Sequence, residues 1–183
     1  MRRVAAALLH YPVLDRGRQV VTTAITNLDL HDIARSSHTY GLSDYFVVHP
    51  IAAQRELAER VQAHWTAGSG ARRIPDRSPA LAGLRVVATL DDALGALGDP
   101  EIWVTSAEAG KNPLAFADAR AMLQGDGPPV LLVFGTGWGL APSVLERARH
   151  QLAPVRSPRA DGYNHLSVRA AAAIIFDRLL GVP

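Results

Sequence analysis

The chain contains no cysteine, which excludes disulfides, thiolate nucleophiles and cysteine-ligated zinc or iron–sulfur centres. Its chemistry must come from oxygen and nitrogen groups. Lysine is almost as scarce: Lys111 is the only one, and the other eighteen of nineteen basic residues are arginines. A phosphate-binding P-loop, which needs G-K-[ST], is therefore absent. The chain also lacks an apolar run long enough to span a bilayer. Its start, Met1-Arg2-Arg3 followed by Val4 to Leu9, lacks the full core and cleavage region of a signal peptide. A soluble, cytoplasmic protein with no membrane partner is expected.

No internal repeat, low-complexity tract or domain boundary interrupts the 183 residues, and a hydrophobic content of 48% suffices for one sizeable core. A single domain over residues 1–183 is expected. The seven histidines show no zinc-binding spacing. His31 and His38 are separated by seven residues, about 10 Å along a helix axis and too far to share an ion, so no metal is expected. Net charge is only +2, and most of the arginines read as solvated surface. One local cluster is more pointed: the segment Gly68 to Pro79 carries Arg72, Arg73 and Arg77 among Gly, Ser and Pro. A flexible basic loop of that kind suits an RNA backbone, although a plain surface linker is the first reading of such a segment.

Apolar runs alternate with amphipathic segments along the chain. Strands are expected at Val4 to Leu9, Tyr45 to Val48, Arg85 to Ala88, Ile102 to Thr105, Val130 to Phe134 and Gln151 to Val155. Helices are expected at Asp29 to Tyr40, capped by Asn27 or Asp29 and ended by Gly41, and at Ala52 to Ala67, where Leu57, Val61 and Trp65 recur every four residues. Further helices are expected at Asp91 to Leu97, Leu114 to Leu123, Pro142 to Arg149 and the C-terminus. Helices between short apolar strands imply an α/β fold with a mostly parallel sheet covered on both faces. In such sheets ligands gather beyond the carboxyl ends of the strands. Thr105-Ser106-Ala107, the loop from Gly135 and the segment following Pro154-Val155 all fall there.

The loop is Gly135-Thr136-Gly137-Trp138-Gly139-Leu140, directly after the apolar run Val130 to Phe134. Glycines at alternate positions let a backbone turn sharply and approach a ligand closely. The spacing is G-x-G-x-G, not the dinucleotide fingerprint G-x-G-x-x-G of a first βα turn, and an ordinary tight turn fits it as well. A second motif accompanies it: Asn164-His165-Leu166-Ser167-Val168-Arg169 runs into four alanines, Ala170 to Ala173. Ser167, with Asn164, is suited to capping that helix and to facing a pocket. Trp138 reads as a lid over the pocket or as a core anchor.

With Asn27-Leu28-Asp29-Leu30-His31-Asp32-Ile33-Ala34-Arg35-Ser36 followed by Tyr40-Gly41, these segments resemble, in order, the three motifs of the SPOUT (α/β-knot) class of RNA methyltransferases. His10-Tyr11-Pro12, Thr26 to Asp29 and Gly135 to Leu140 are similar to a subgroup found alone or fused to a bacterial tRNA guanine-N1 methyltransferase domain. The resemblance implies a C-terminal deep trefoil knot, S-adenosylmethionine (SAM) as methyl donor, an RNA partner and a homodimer in which the neighbouring subunit completes the pocket. It implies cofactor contacts from Thr105, Ser106, Ala107, Gly135, Thr136, Gly137, Trp138, Gly139, Leu140, Pro154, Val155, Asn164, His165, Leu166 and Ser167. It places Asn27, Arg35, Asn164 and Ser167 on the catalytic side, with Arg35, Arg72, Arg73 and Arg77 toward RNA. Asn27 matches the first-motif asparagine with an offset, whereas a strict count back from Arg35 selects Asp29; both are kept as candidates.

Physical chemistry gives Arg35 the role of clamp and orienter, because a guanidinium yields its proton very reluctantly; an ion pair with Asp32 is the other use for it. The expected reaction is transfer to a tRNA ribose 2′-hydroxyl. Ribose-methylating members carry a glutamate where this chain has Gly137, which leaves methylation of a guanine nitrogen in tRNA or rRNA, or a non-catalytic RNA-binding knot, as alternatives. His10, at the end of the first strand, is a further candidate for the substrate side.

Overall fold

The computed structural model describes residues 1–108 and 110–182. Its centre is β1 (Val4–Leu9), six consecutive buried residues, the continuous apolar pattern of a strand covered on both faces. β1 pairs in parallel with β4 (Tyr45–Val48) on one side and β7 (Val130–Gly135) on the other. β5 (Leu84–Val87) extends the sheet beyond β4, and β6 (Glu101–Val104) and β8 (His150–Gln151) extend it beyond β7. The strand order is β5-β4-β1-β7-β6-β8, every pairing parallel.

Side-chain alternation along β1 splits the core. Val4, Ala6 and Leu8 join the apolar faces of α1 (Asn27–Thr39), α6 (Phe116–Gln124) and α8 (Val168–Leu180). Ala5, Ala7 and Leu9 face α5 (Leu90–Leu97) and α7 (Pro142–Leu145) on the other side. The parallel sheet clothed by helices on both faces is thus the expected one. Two features follow from short signals that strand periodicity does not reveal. A hairpin of two-residue strands, β2 (Val13–Leu14) and β3 (Val20–Val21), lies between β1 and α1. A side chain outside the helix, Thr26, provides the α1 cap by accepting from the Asp29 N–H, so Asn27 becomes the first helical residue and neither Asn27 nor Asp29 is the cap.

The Gly68–Pro79 segment is not a flexible loop. It winds into α3 (Ser69–Arg73), a 3₁₀ turn (Pro75–Arg77) and α4 (Ser78–Ala82). Prolines sit at the first positions of the two later turns, where their fixed φ suits a helix start. Leu81 is fully buried, and the Arg77 guanidinium stacks 4.9 Å from the Trp65 ring centre. On α2 (Ala52–Thr66) the buried contact is Ala58, with Val61 and Trp65 packed on the core, while Leu57 is exposed. Three further boundaries move. α7 stops at Leu145, Leu114 bridges Leu152 instead of opening α6, and β8 is only His150–Gln151. Among the described residues, no helix is long and apolar enough to cross a membrane.

Candidate cofactor site and acceptor groove

Because β7, β6 and β8 are neighbours in one parallel sheet, the loops that leave their carboxyl ends emerge side by side. The loop after β6 begins with Thr105, whose N–H and hydroxyl both donate to the Val133 carbonyl at 3.0 and 3.1 Å. Ser106 closes a local turn by accepting from the Glu108 N–H at 3.0 Å, and Ala107 is exposed. The Gln151 amide reaches back from β8 to the Glu108 carbonyl at 3.1 Å. In the loop after β8, Pro154 is buried, Val155 is half-buried, and the Asn164 side chain donates to the Val155 carbonyl at 3.0 Å. Asn164 therefore folds this loop on itself and does not cap α8. Ser167 provides that cap, accepting from the Ala170 N–H. His165 and Leu166, between them, are exposed.

The glycine loop is held from below by the β2–β3 hairpin. The Trp138 N–H donates to the Leu14 carbonyl at 2.8 Å, the Leu14 N–H donates to the Gly139 carbonyl at 2.9 Å, and Val13 bridges Leu140. Gly137 has φ +62°, and a Cβ there would lie 2.7 Å from the Leu14 carbonyl oxygen. A residue other than glycine is excluded twice, by backbone conformation and by space. The class glutamate cannot stand at this position without dismantling the hairpin contact. At Gly135 a Cβ would press on Leu140 at 2.9 Å. Trp138, fixed by its backbone, leaves 57% of its surface exposed, so it is not a core anchor.

A concavity of about 540 Å³ lies elsewhere, between α1 and the N-terminal half of α8. It brings together two residues expected from different motifs, Arg35 and Ser167, with Asp32, Ser36, Tyr40 and Arg169 around them. Asp29 is buried under its rim. It accepts from the Thr26 hydroxyl at 2.6 Å and pairs with Arg169 at 3.3 Å. Asp32 also pairs with Arg169, at 3.5 Å. Arg35 is exposed and, among the described residues, makes no salt bridge, so the ion pair with Asp32 is not its role. Asn27 is exposed in the first turn of α1 and is not among the groove residues. Arg72 and Arg73 are exposed on α3, distinct from this groove lining.

Of the site's most connected polar residues, Thr23 and His49 belong to no motif in the sequence, whereas His10 does. Thr23, His49 and the already suspected His10 cluster where β1, β4 and β7 end. His10 Nδ1 lies 3.1 Å from the Thr23 hydroxyl, which in turn meets the Thr136 hydroxyl. His49 Nε2 lies 2.9 Å from the Thr23 carbonyl. Two histidines at the ends of strands, each followed within one or two residues by proline, were the available signal. No group of three or more histidine, aspartate or glutamate side chains suited to a metal occurs among the described residues.

Burial, with His49 beside it, lowers the His10 pKa from 6.5 to about 4, against an opposing pull from Asp29. The unfolded chain therefore binds one more proton between those pH values. Stability is fully present above about pH 6.5 and falls by roughly 1.4 kcal/mol per pH unit as pH drops toward 4. Urea unfolding at several pH values should show this slope diminished in His10→Gln. Separately, Gly137→Ala should weaken cofactor binding at least tenfold, measured by calorimetry on folded protein; unchanged affinity would remove Gly137 from the site.

A curated tRNA (guanine-N(1)-)-methyltransferase of Oleidesulfovibrio alaskensis is 47% identical over 185 residues, covering 98% of this chain and 42% of that protein. The corresponding protein of Nitratidesulfovibrio vulgaris is 49% identical over 188 residues with the same coverages. The chain thus spans about two fifths of their length. An uncharacterized protein of Aquifex aeolicus is 35% identical, covering 96% of this chain and 87% of its own.

Among solved structures, a probable methyltransferase of Bordetella pertussis superimposes with TM-score 0.65 at 17% identity, covering 97% of this chain and 94% of that one. A SAM-bound rRNA methyltransferase of Sinorhizobium meliloti gives 0.57 at 15%, covering 97% and 55%. The TrmH/SpoU tRNA modifying enzyme of A. aeolicus gives 0.54 at 16%, covering 97% and 73%. At these identities the structures speak for the fold, which is of the SPOUT type. The model describing SAM-dependent RNA methyltransferases matches residues 3–181, nearly the whole chain, and the protein belongs to that family.

Proposed function

We propose that the protein transfers a methyl group from SAM to a guanine nitrogen of tRNA. The observation that carries the cofactor half is the loop Gly135–Leu140, a glycine turn held against the β2–β3 hairpin so closely that Gly137 admits no side chain, flanked by the loops after β6 and β8. SAM presents an adenine edge, ribose hydroxyls and a zwitterionic tail to backbone groups and an apolar slot; when bound it supplies an electrophilic methyl group. The base acceptor is favoured over the ribose 2′-hydroxyl by the name of the two 47–49% identical relatives. Since more than half of each relative lies outside the match, the acceptor atom is carried here as part of the proposal. The absence of the class glutamate at Gly137 points the same way.

On the acceptor side, Arg35 has an unengaged guanidinium in a groove beside the α8 N-terminus. It holds a phosphate of the RNA and so aligns the target with the methyl–sulfur axis, since alignment is the main requirement of this reaction. The exposed Arg72 and Arg73 add phosphate contacts outside the groove, and Arg77 contributes through its half-buried stack on Trp65. A homodimer and a C-terminal trefoil knot belong to the same reading. Both follow from the motif resemblance, and the small-residue face of α8, where Ala170 and Ala173 border the groove, leaves room for close packing. A single domain working in the cytoplasm completes it.

Calorimetry with SAM, followed by transfer of labelled methyl to bulk tRNA and mass spectrometry of the nucleosides, tests the proposal. A methylated guanine base is expected. A 2′-O-methylated nucleoside would return the ribose acceptor, and SAM binding without transfer to any cellular RNA would make the chain a binding module. Arg35→Ala should leave SAM affinity within about twofold while lowering transfer at least tenfold; full activity would remove Arg35 from the acceptor side.

A further inference from the structure

We infer that Thr23 is the positioning residue of the cofactor loop, a hydroxyl brace that sets Thr136 from below; the inference rests on the reading of that loop as the SAM site. Each hydrogen-bonding part of Thr23 is engaged. Its N–H donates to the His10 carbonyl at 3.0 Å, its carbonyl accepts from His49 Nε2 at 2.9 Å, and its hydroxyl lies between His10 Nδ1 and the Thr136 hydroxyl. Through these contacts one residue joins the ends of β1 and β4 to the loop that follows β7. Its methyl carbon lies 3.6 Å from the place a Gly137 Cβ would occupy, beneath the part of the loop that admits no side chain.

The direction of the bonds can be followed. The Thr136 hydroxyl donates to the Leu9 carbonyl at 3.2 Å, so it is free to accept from Thr23. The Thr23 hydroxyl, having donated, accepts from His10, which fixes the Nδ1–H tautomer there. His49 is fixed in the opposite tautomer: its Nδ1 accepts from the Ile51 N–H at 3.2 Å, so Nε2 carries the proton given to the Thr23 carbonyl. His10 Nε2 is then a bare acceptor, buried and without a partner among the described residues. The result is a one-way chain from His10 through Thr23 and Thr136 to Leu9. An unpaired polar group at this depth is costly, and the chain leaves Thr136 one favoured rotamer. The Thr136 N–H also reaches the Leu9 carbonyl, at 3.3 Å, so the side-chain setting and the backbone setting of the loop coincide.

Thr23→Val keeps the shape of the side chain and removes only the hydroxyl, whereas Thr23→Ser keeps the hydroxyl. In the full-length chain, calorimetry with SAM should show Kd raised at least tenfold in Thr23→Val and within threefold of wild type in Thr23→Ser. In methyl transfer the KM for SAM should rise in parallel, with kcat at saturating SAM retained. Should Thr23→Val fail to fold, Thr136→Val against Thr136→Ser cuts the same chain at its other end and must show the same contrast. Wild-type affinity in Thr23→Val, or a fall in kcat with KM unmoved, would overturn the brace. Failure of the wild-type protein itself to bind SAM would instead overturn the cofactor reading.

Discussion

The parallel pairing of β1 with β7, Val4 opposite Val130 through Leu9 opposite Gly135, is the contact on which the rest depends. It joins the first strand of the chain to one near its C-terminal end. The register sets the end of β1 directly beside the start of the glycine loop, and with it His10 beside Thr136. Shifting the register by one residue would turn every side chain to the other face. It would exchange the residues that meet α1 and α8 for those that meet α5 and α7. The hairpin between β1 and α1 then has one place to go, across the glycine loop, which it fixes through Leu14.

The same sheet separates two chemical environments. At its carboxyl end, the loops after β7, β6 and β8 offer backbone groups, and the glycine loop itself carries no charged side chain. Across α1 and α8 lies a polar groove in which Arg169 is occupied by Asp29 and Asp32, leaving Arg35 available. That division suits the proposed methyl transfer, in which a cationic donor would be bound through its neutral parts and a nearby cation would hold the anionic acceptor. The buried carboxylate of Asp29 fixes the relation between the two helices, because its removal would leave Arg169 without its closer partner. The first-motif position chosen by counting, Asp29, is thus engaged within the protein, whereas Arg35 faces the groove without an ion-pair partner among the described residues.

The strands and most helices were legible in the sequence because their apolar residues exceed what any other arrangement could bury. The glycine loop and the Ser167 cap were legible because few residue types serve those positions. What escaped notice depended on contacts between distant segments. The hairpin strands are two residues each, too short for a pattern of alternation. Thr23 looks like any loop threonine until β1, β4 and β7 are assembled around it. Gly and Pro content points to flexibility in the basic segment, yet Leu81 and the stack of Arg77 on Trp65 anchor it. Thr26 as cap was hidden by two equally eligible neighbours, Asn27 and Asp29.

The central claim is that the three carboxyl-end loops form one SAM pocket. A titration of isotope-labelled protein with SAM, followed by amide chemical shifts, tests it most directly. The account predicts that Thr136, Gly137, Trp138 and Leu140 shift together with Thr105 and Leu166, at one common affinity. Shifts confined to the α1–α8 groove, or no shifts in the glycine loop at saturating SAM, would contradict it.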